Sequence, residues 1–397
     1  MARQVQDAYI VAARRTPVGK APRGVFRNTR PDDLLTHAIR GVLDDAPNVA
    51  RERIGDVIAG CAKPEAEQGL NVARVAALLA GLPDAVPGMT INRFCSSGLQ
   101  AVALAADRIR LGEADVMIAG GTESMSLIPM MGNKPAFNPA IFSDDNVAIA
   151  YGMGITAEKV AQRWQVSRED QDAFAYQSHQ RALKAREAGE FTEILPYTVR
   201  EHYADSAGGE RRAVERPVEH DEGPRADTSP DKLAKLRPVF DAKGSVTAGN
   251  SSQTSDGAGA LMLASEQAIK DYELQPLARF VGFAVAGVPP EIMGIGPKEA
   301  IPKVLKQTGL AQADVDWIEL NEAFAAQSLA VIRDLGLDPA KVNPNGGAIS
   351  SGHPLGATGA IRSALAVHAL KRHALKYAMV TMCIGTGMGA AGIFEAV

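Results

Sequence analysis

Residues 91–121, INRFCSSGLQAVALAADRIRLGEADVMIAGG, contain the pattern that decides the fold class. A short apolar run ends at Ile91, and a Ser/Gly turn surrounds Cys95. An Ala-rich segment of helical character follows at 99–112, and a second apolar run extends over 115–121. This order predicts a strand, a turn, a helix and a second buried strand. Strands that alternate with helices indicate an α/β fold.

The last part of the chain repeats this pattern. The first part reads GDVIAG, the Cys95 turn, a helix and DVMIAGG, and the last part reads VDWIELNEAF, the His353 turn, a helix and AMVTMCIG. The segments GAGALMLASE (257–266) and GMGAAGIFEAV (387–397) match as closing strands. We therefore predict two similar α/β halves, residues 1–275 and 276–397.

Residues 122–248 interrupt the first half. They contain an irregular stretch rich in Met, Pro and Phe, a predicted helix at 168–189 and a charged, turn-rich segment at 201–232. The first half resumes at VTAGNSSQTSDGAGALML (246–263). We predict an inserted domain that covers the strand-to-helix turns, where ligand sites of α/β proteins usually lie.

Composition and charge restrict the class of protein. The chain has 397 residues, 46% of them hydrophobic, and a formal net charge of -4, which predicts a globular protein without the basic surface that nucleic acid or an anionic membrane requires. No apolar run reaches membrane-spanning length and the N-terminus lacks the features of a secretory signal, so we expect a cytoplasmic protein. Its three cysteines (Cys61, Cys95 and Cys383) form no CxxC pair, which predicts free thiols and no metal site.

Cys95 is a candidate nucleophile. Its place at a strand-to-helix turn puts the sulfur near a helix N-terminus, which together with a nearby base is expected to lower the pKa of the thiol. A buried structural cysteine is the alternative that local context leaves open.

His353 and Cys383 are the other candidates for acid and base chemistry. His353 occupies a glycine-rich turn at the repeat position of Cys95, although most lone histidines are core or surface residues. Cys383 ends an apolar strand before glycines that let a ligand approach the backbone amides. The GxGxxG spacing at 387–392 does not indicate a dinucleotide loop, because too few residues follow for the required helix and second strand.

Asn321, in LNEAFAAQ, has two interpretations. It is either an ordinary helix cap or an active-site amide that orients a water or donates to a developing oxyanion.

Four motifs resemble those of the thiolase family, in the family's order: NRFCSSGLQAV, NEAFAAQ, GGAISSGHPLGATG and CIGTGMGAA. The resemblance covers the whole chain. It implies a five-layered αβαβα fold built from two similar halves with an inserted loop domain. It also implies CoA and acyl-CoA substrates, no cofactor or metal, and a homodimer or homotetramer, with a hydratase/dehydrogenase of β-oxidation as a candidate partner.

The resemblance assigns a role to each candidate. Cys95 attacks the 3-keto carbon of a 3-ketoacyl-CoA and carries the acyl group, and His353 helps to deprotonate it. A water on Asn321 acts with His353 on the thioester oxygen, and Cys383 is the general acid and base. The backbone N–H groups of Cys95 and Gly385 form a second oxyanion hole.

The resemblance also suggests how CoA binds. Ser252 matches a position near the pantetheine, and Arg225 one near the nucleotide, with an ordinary exposed arginine as the alternative.

The loop sequences favour the degradative subtype of thiolase. Many biosynthetic acetoacetyl-CoA thiolases have His-Met-Gly where this chain reads Tyr151-Gly152-Met153-Gly154. CSSGLQAV and VPPEIMGIGP look closer to degradative 3-ketoacyl-CoA thiolases. An acetyl-CoA C-acetyltransferase that works in the condensing direction is the alternative.

Residues 125–153 are interpreted either as walls around an apolar acyl chain or as subunit contacts.

Two other classes fit less well. A ketoacyl synthase typically pairs its cysteine with two histidines or a His/Asn pair, whereas this chain offers His353 and Cys383. A non-catalytic lipid-binding relative would lack motif residues that are present here.

Overall fold

The structure, a computed structural model, describes residues 5–143, 145–204 and 211–397. The strands are β1 (Ala8–Arg15), β2 (Gly19–Lys20), β3 (Ile54–Gly60), β4 (Gly88–Ile91), β5 (Val116–Ser124), β6 (Tyr197–Ala204), β7 (Arg211–Val218), β8 (Ser255–Ser265), β9 (Ala278–Gly287), β10 (Trp317–Leu320), β11 (Tyr377–Ile384) and β12 (Met388–Ala396). The α-helices are α1 (Pro31–Asp45), α2 (Val72–Leu79), α3 (Ser97–Arg110), α4 (Met153–Arg163), α5 (Arg168–Glu187), α6 (Pro230–Ala234), α7 (Glu266–Asp271), α8 (Gly296–Thr308), α9 (Ala325–Leu335), α10 (Ala348–Ser351) and α11 (Leu355–Arg372).

Two half-sheets of matching topology join into one sheet. The strand order is β10-β11-β12-β9-β1-β8-β5-β3-β4, with β2 paired to β8. In the first half, β3 pairs in parallel with β4 and β5, and β8 pairs antiparallel with β5 and β1. In the second half, β11 pairs in parallel with β10, and β12 pairs antiparallel with β11 and β9. The repeat predicted from the sequence thus forms two similar sheet halves, which meet where β1 pairs with β9.

Helices cover both half-sheets and also fill the space between them. Helices α3 and α11 pack against each other in the central layer, α1 and α2 cover the outer side of the first half-sheet, and α8 and α9 cover that of the second. These two helices approach each other closely at Gly98 and Gly359. A Cβ added to Gly98 would lie 2.6 Å from the Ala360 nitrogen, and a Cβ added to Gly359 would lie 2.1 Å from the Leu99 nitrogen. The layers are therefore αβαβα, and the N-terminal turns of both central helices meet.

The segment between β5 and β8 lies outside this repeat and contains α4, α5, the β6–β7 hairpin and α6. The charged, turn-rich stretch 201–232 also contains β7 and the end of β6, which the sequence analysis did not predict. Val199 and Val218 are buried in this hairpin while most of its described side chains are exposed, so the apolar alternation that marks a strand is weak. The predicted division near residue 275 falls between α7 and β9.

The Met, Pro and Phe-rich stretch has no α-helix or strand in its described part, 125–143 and 145–152, which contains short 3₁₀ turns at Pro139–Phe142 and Val147–Ala150. Met131 is 49% exposed and Phe142 is 59% exposed in the single chain. Exposed apolar side chains in the single chain favour the interpretation as subunit contacts.

No helix in the described part of the chain is long and apolar enough to cross a membrane.

Candidate active site

Cys95 lies in a 3₁₀ turn, Phe94–Ser96, directly before α3. The preceding Phe94 has φ 44°, in the left-handed region that an aromatic residue rarely adopts. Two hydrogen bonds hold it there: its N–H donates to Asn92 Oδ1 at 2.8 Å, and its carbonyl accepts from Ser97 Oγ at 2.7 Å. Backbone strain that the surroundings maintain is typical of functional sites.

The Gly385 backbone N–H donates a hydrogen bond to the Cys95 sulfur. Gly385 begins the turn from β11 to β12, where Thr386 has φ 65° and Gly387 has φ 89°. A Cβ on Gly387 would lie 2.2 Å from the Val288 carbonyl oxygen, so only glycine fits there. The glycines after the second-cysteine strand therefore bring a backbone donor to Cys95.

The pKa of the Cys95 thiol is raised to about 11. Burial causes the rise, and the hydrogen bond from Gly385 only partly offsets it. The expectation of a lowered pKa is wrong, because Cys95 is only 8% exposed and desolvation outweighs the local donors. The thiol is protonated at neutral pH, so a nucleophilic role requires a base.

Cys383 is fully buried near the end of β11, among the side chains of Phe324 and Met293. Burial raises the pKa of its thiol, and negative charge on Cys95 raises it further. The two cysteines are thus close enough that ionisation of one opposes ionisation of the other, as expected of thiols that share one site.

The neighbours of His353 favour one tautomer. The Thr358 hydroxyl lies 3.1 Å from the Pro354 carbonyl and 2.6 Å from His353 Nδ1, so it can donate to the carbonyl and accept the N–H of Nδ1. In that tautomer His353 Nε2 has a lone pair, and the Asn321 amide Nδ2 lies 3.3 Å away. An imidazole with a lone pair on Nε2 is suited to accept a proton.

Burial lowers the pKa of His353 to about 3, and the positive charge of Arg362 contributes to the decrease. His353 is consequently neutral over the whole physiological range, so Nε2 can accept a proton. Its low pKa makes it a weak base in the free chain, and negative charge that develops on a bound substrate would raise that pKa.

Asn321 is not a helix cap: α9 begins at Ala325, and its N-cap residue is Phe324. Besides the contact of Nδ2 with His353, the Asn321 Oδ1 atom is buried and has no hydrogen-bond partner among the described residues. A buried acceptor without a donor is costly, which indicates a place for a water or a substrate group.

Hydrogen bonds to Glu123 connect the start of α11, next to the histidine turn, with the half of the chain that contains Cys95. This buried carboxylate, at the end of β5, accepts the backbone N–H groups of Ala62 and Gly356, each at 2.8 Å, and the side chain of Gln68 at 2.5 Å. Gly356 lies in the first turn of α11, directly after the histidine turn. Glu123 thus fixes α11 against the loop after β3.

Cys61 is buried beside the same carboxylate, 4.0 Å from Sγ to Oε1. Burial raises the pKa of its thiol, and the Glu123 charge adds to the effect.

Two family models match the chain, the "Thiolase, N-terminal domain" over residues 8–267 and the "Thiolase, C-terminal domain" over residues 274–396. The chain belongs to the thiolase family. It is an acyltransferase of that family.

Thiolases that are similar to this chain are named for different substrates. A 3-ketoacyl-CoA thiolase of Bacillus subtilis is 52% identical over 98% of this chain and 100% of its own. A 3-oxoadipyl-CoA/3-oxo-5,6-dehydrosuberyl-CoA thiolase of Escherichia coli is 45% identical over 99% and 100%. Among solved structures, the Bacillus anthracis acetyl-CoA acetyltransferase superposes with a TM-score of 0.89 at 40% identity, covering 100% of both chains.

A cavity of about 550 Å³ contains both residues that the thiolase resemblance relates to CoA, Ser252 and Arg225. The Ser252 N–H donates to the Ala323 carbonyl at 2.9 Å, so this wall adjoins the asparagine motif. The Arg225 side chain is exposed and pairs with Asp227 at 3.0 Å. Cys95, His353 and Cys383 do not line the cavity.

Thr358 and Glu123 are the site residues that the sequence analysis missed. Thr358 lies five positions after His353 within the same motif, a spacing that could have indicated a contact between a turn residue and the first helical turn behind it. Nothing in the local sequence marks Glu123, since its partners come from two distant segments, the loop after β3 and the start of α11.

Replacing Thr358 with valine is expected to lower kcat/KM for thiolysis about tenfold, because the His353 Nδ1–H loses its acceptor and the reactive tautomer is no longer held. Thr358→Ser keeps the hydroxyl and should retain most of the activity. Steady-state assays of both variants, with circular dichroism to establish folding, check this. Equal activity of the valine variant and the wild type would contradict the role of Thr358.

Proposed function

We propose that this chain is a 3-ketoacyl-CoA thiolase (acetyl-CoA C-acyltransferase), a cytoplasmic homo-oligomer of fatty-acid β-oxidation. It would cleave a 3-ketoacyl-CoA with CoA to acetyl-CoA and a shortened acyl-CoA, through an acyl group on Cys95. The observation that carries the proposal is the pairing of Cys95 with Cys383 in one buried site, with the Gly385 N–H on the Cys95 sulfur.

In the first half-reaction, the Nε2 lone pair of His353 takes the proton of Cys95 as its sulfur attacks the 3-keto carbon. The tautomer that Thr358 fixes supports this role. The bond between C2 and C3 then breaks, and its electron pair remains on C2 as the acetyl-CoA enolate. The Cys383 thiol protonates C2, so acetyl-CoA leaves while the acyl chain stays on Cys95.

In the second half-reaction, the Cys383 thiolate takes the proton of an incoming CoA thiol. The CoA sulfur attacks the acyl carbon, the Cys95 sulfur leaves, and it recovers its proton from His353. Protons and charges balance over the cycle, so no metal or redox partner is required. The raised pKa of Cys383 supports its role, since a weakly acidic thiol gives a strong base.

Two sets of donors serve the oxygens that acquire negative charge. The N–H groups of Cys95 and Gly385 are aimed at the Cys95 sulfur and would stabilise the oxyanion at the carbon bound to it. The unpartnered Oδ1 of Asn321 would hold a water that donates, with protonated His353, to the thioester oxygen of the enolate.

The alternative function is that of an acetyl-CoA C-acetyltransferase working in the condensing direction. A structure of that name superposes with a TM-score of 0.89, but a human mitochondrial 3-ketoacyl-CoA thiolase superposes with 0.87, so the fold alone does not separate the two functions. The Gly152-Met153 sequence, in place of His-Met, favours the degradative function.

Substrate length distinguishes the two functions. The kcat/KM for thiolysis of eight-carbon 3-ketoacyl-CoA is expected to equal or exceed that of acetoacetyl-CoA, because each added methylene that is buried contributes up to about 0.8 kcal/mol. Assays with four-, eight- and twelve-carbon substrates measure this. A steep fall beyond four carbons would contradict the degradative assignment and support the acetyltransferase.

A further inference from the structure

His179, on α5, lines the cavity and has one free donor. The ring is buried, and its Nδ1 accepts the backbone N–H of Arg225 at 3.2 Å. Since Nδ1 is an acceptor, the ring proton resides on Nε2. In the described part of the chain, no residue accepts that Nε2–H, which leaves it available to a ligand.

Two cations and one carboxylate lie near this histidine. Burial lowers the pKa of His179 to about 4, the charges of Arg225 and Lys20 add to the effect, and the charge of Asp227, which pairs with Arg225, opposes it. The imidazole is therefore a neutral donor at physiological pH. Lys20 also lines the cavity, and no carboxylate of residues 5–143, 145–204 or 211–397 forms an ion pair with its ammonium group.

These features call for an acceptor with negative charge. A neutral N–H in the cavity wall beside two cations fits a phosphoryl oxygen, since Arg225 pairs with Asp227 and Lys20 has no carboxylate partner among the described residues. Ser252 lies on the cavity wall next to the asparagine motif, where it would contact the uncharged part of the same ligand.

We propose that His179 and Lys20 bind a phosphoryl group of CoA, with the His179 Nε2–H donating to a phosphoryl oxygen and Lys20 supplying positive charge. This inference rests on the proposed function and adds two residues to the CoA site. His179 also positions Arg225 through the backbone hydrogen bond to Nδ1.

Two substitutions distinguish the roles of the two ring nitrogens of His179. His179→Asn keeps an acceptor at the Nδ1 position and removes the donor at Nε2, whereas His179→Gln places an amide N–H near the Nε2 position. We expect His179→Asn to raise the Kd for CoA about tenfold, the size of a lost hydrogen bond to a charged group, and His179→Gln to recover part of the affinity. Lys20→Met should raise the Kd similarly.

The experiment is isothermal titration of each variant with CoA and with pantetheine, which lacks the phosphates. Lys235→Met is the matched control, because Lys235 is an exposed lysine of the same loop domain that does not line the cavity. The proposal predicts weaker binding of CoA only, with pantetheine unaffected. Equal losses for both ligands, or no loss in His179→Asn and Lys20→Met, would overturn it.

The outcomes also separate this inference from the proposed function. A wild-type chain that fails to bind CoA would refute the proposed function. A wild-type chain that binds CoA and cleaves 3-ketoacyl-CoA, with variants of unchanged affinity, would refute only the phosphate site. Lys20→Met, whose side chain is only partly buried, tests the site even if the His179 variants do not fold.

Discussion

Cys95→Ala is expected to lower kcat for thiolysis of a 3-ketoacyl-CoA by about a thousandfold or more, because binding and oxyanion stabilisation remain but no nucleophile does. Gly385, His353 and Asn321 keep their places in this variant, since the substitution removes a single buried sulfur. Affinity for CoA should be nearly unchanged. The measurement is the steady-state rate with acetoacetyl-CoA, with CoA binding measured in parallel.

Cys61→Ala is the matched control for that variant. It removes another buried thiol, one that contacts Glu123 rather than the reactive pair, and kcat should stay within about threefold of the wild type. Loss of activity in the Cys61 variant alone would contradict the assignment of the nucleophile.

Cys383→Ser is expected to lower carbon–carbon cleavage by about a thousandfold while Cys95 still accepts an acyl group. The hydroxyl is a far weaker acid than a thiol, so it cannot protonate C2 or remove its proton at a useful rate. The variant therefore separates acyl transfer from the chemistry at C2.

Exchange of the α-protons of acetyl-CoA with solvent deuterium directly measures the role of Cys383 as the base at C2. The wild type should exchange them, and Cys383→Ser should not, while both become acylated on incubation with acetyl-CoA. Exchange at the wild-type rate in the serine variant would show that another group is the base.

Much of the fold follows from local sequence patterns. The apolar runs and Ala-rich segments around Cys95 and His353 are contiguous and periodic, so β5, α3, β11 and α11 are predicted close to their observed positions. The β6–β7 hairpin is not, because its strands are charged and mostly exposed, and exposure removes the alternation on which a strand prediction depends.

The candidate reactive residues could be named from the sequence because each lies in a short motif of its own. Their protonation states were not. The helix N-terminus suggests a lowered pKa for Cys95, yet burial by segments distant in sequence raises it to about 11 and leaves His353 neutral. With a thiol pKa of about 11, the proposed attack depends on transfer of the proton to His353, the base that the thiolase resemblance implies, and not on the helix N-terminus alone.

Residues that act through other residues were also beyond the sequence analysis. Glu123 joins backbone groups of the loop after β3 and the start of α11, more than 200 positions apart in the chain. His179 meets Arg225 and Lys20 only because α5 folds against the cavity wall. Contacts of this kind depend on tertiary packing, which no local pattern encodes.

The covalent intermediate is the central claim, and its location can be measured directly. The protein is incubated with a 3-ketoacyl-CoA in the absence of free CoA, quenched in acid and analysed by intact-mass measurement and peptide mapping. One acyl group of the shortened chain is expected on the peptide that contains Cys95, and none in Cys95→Ala. An acyl group found only on Cys383 or Cys61 would contradict the account.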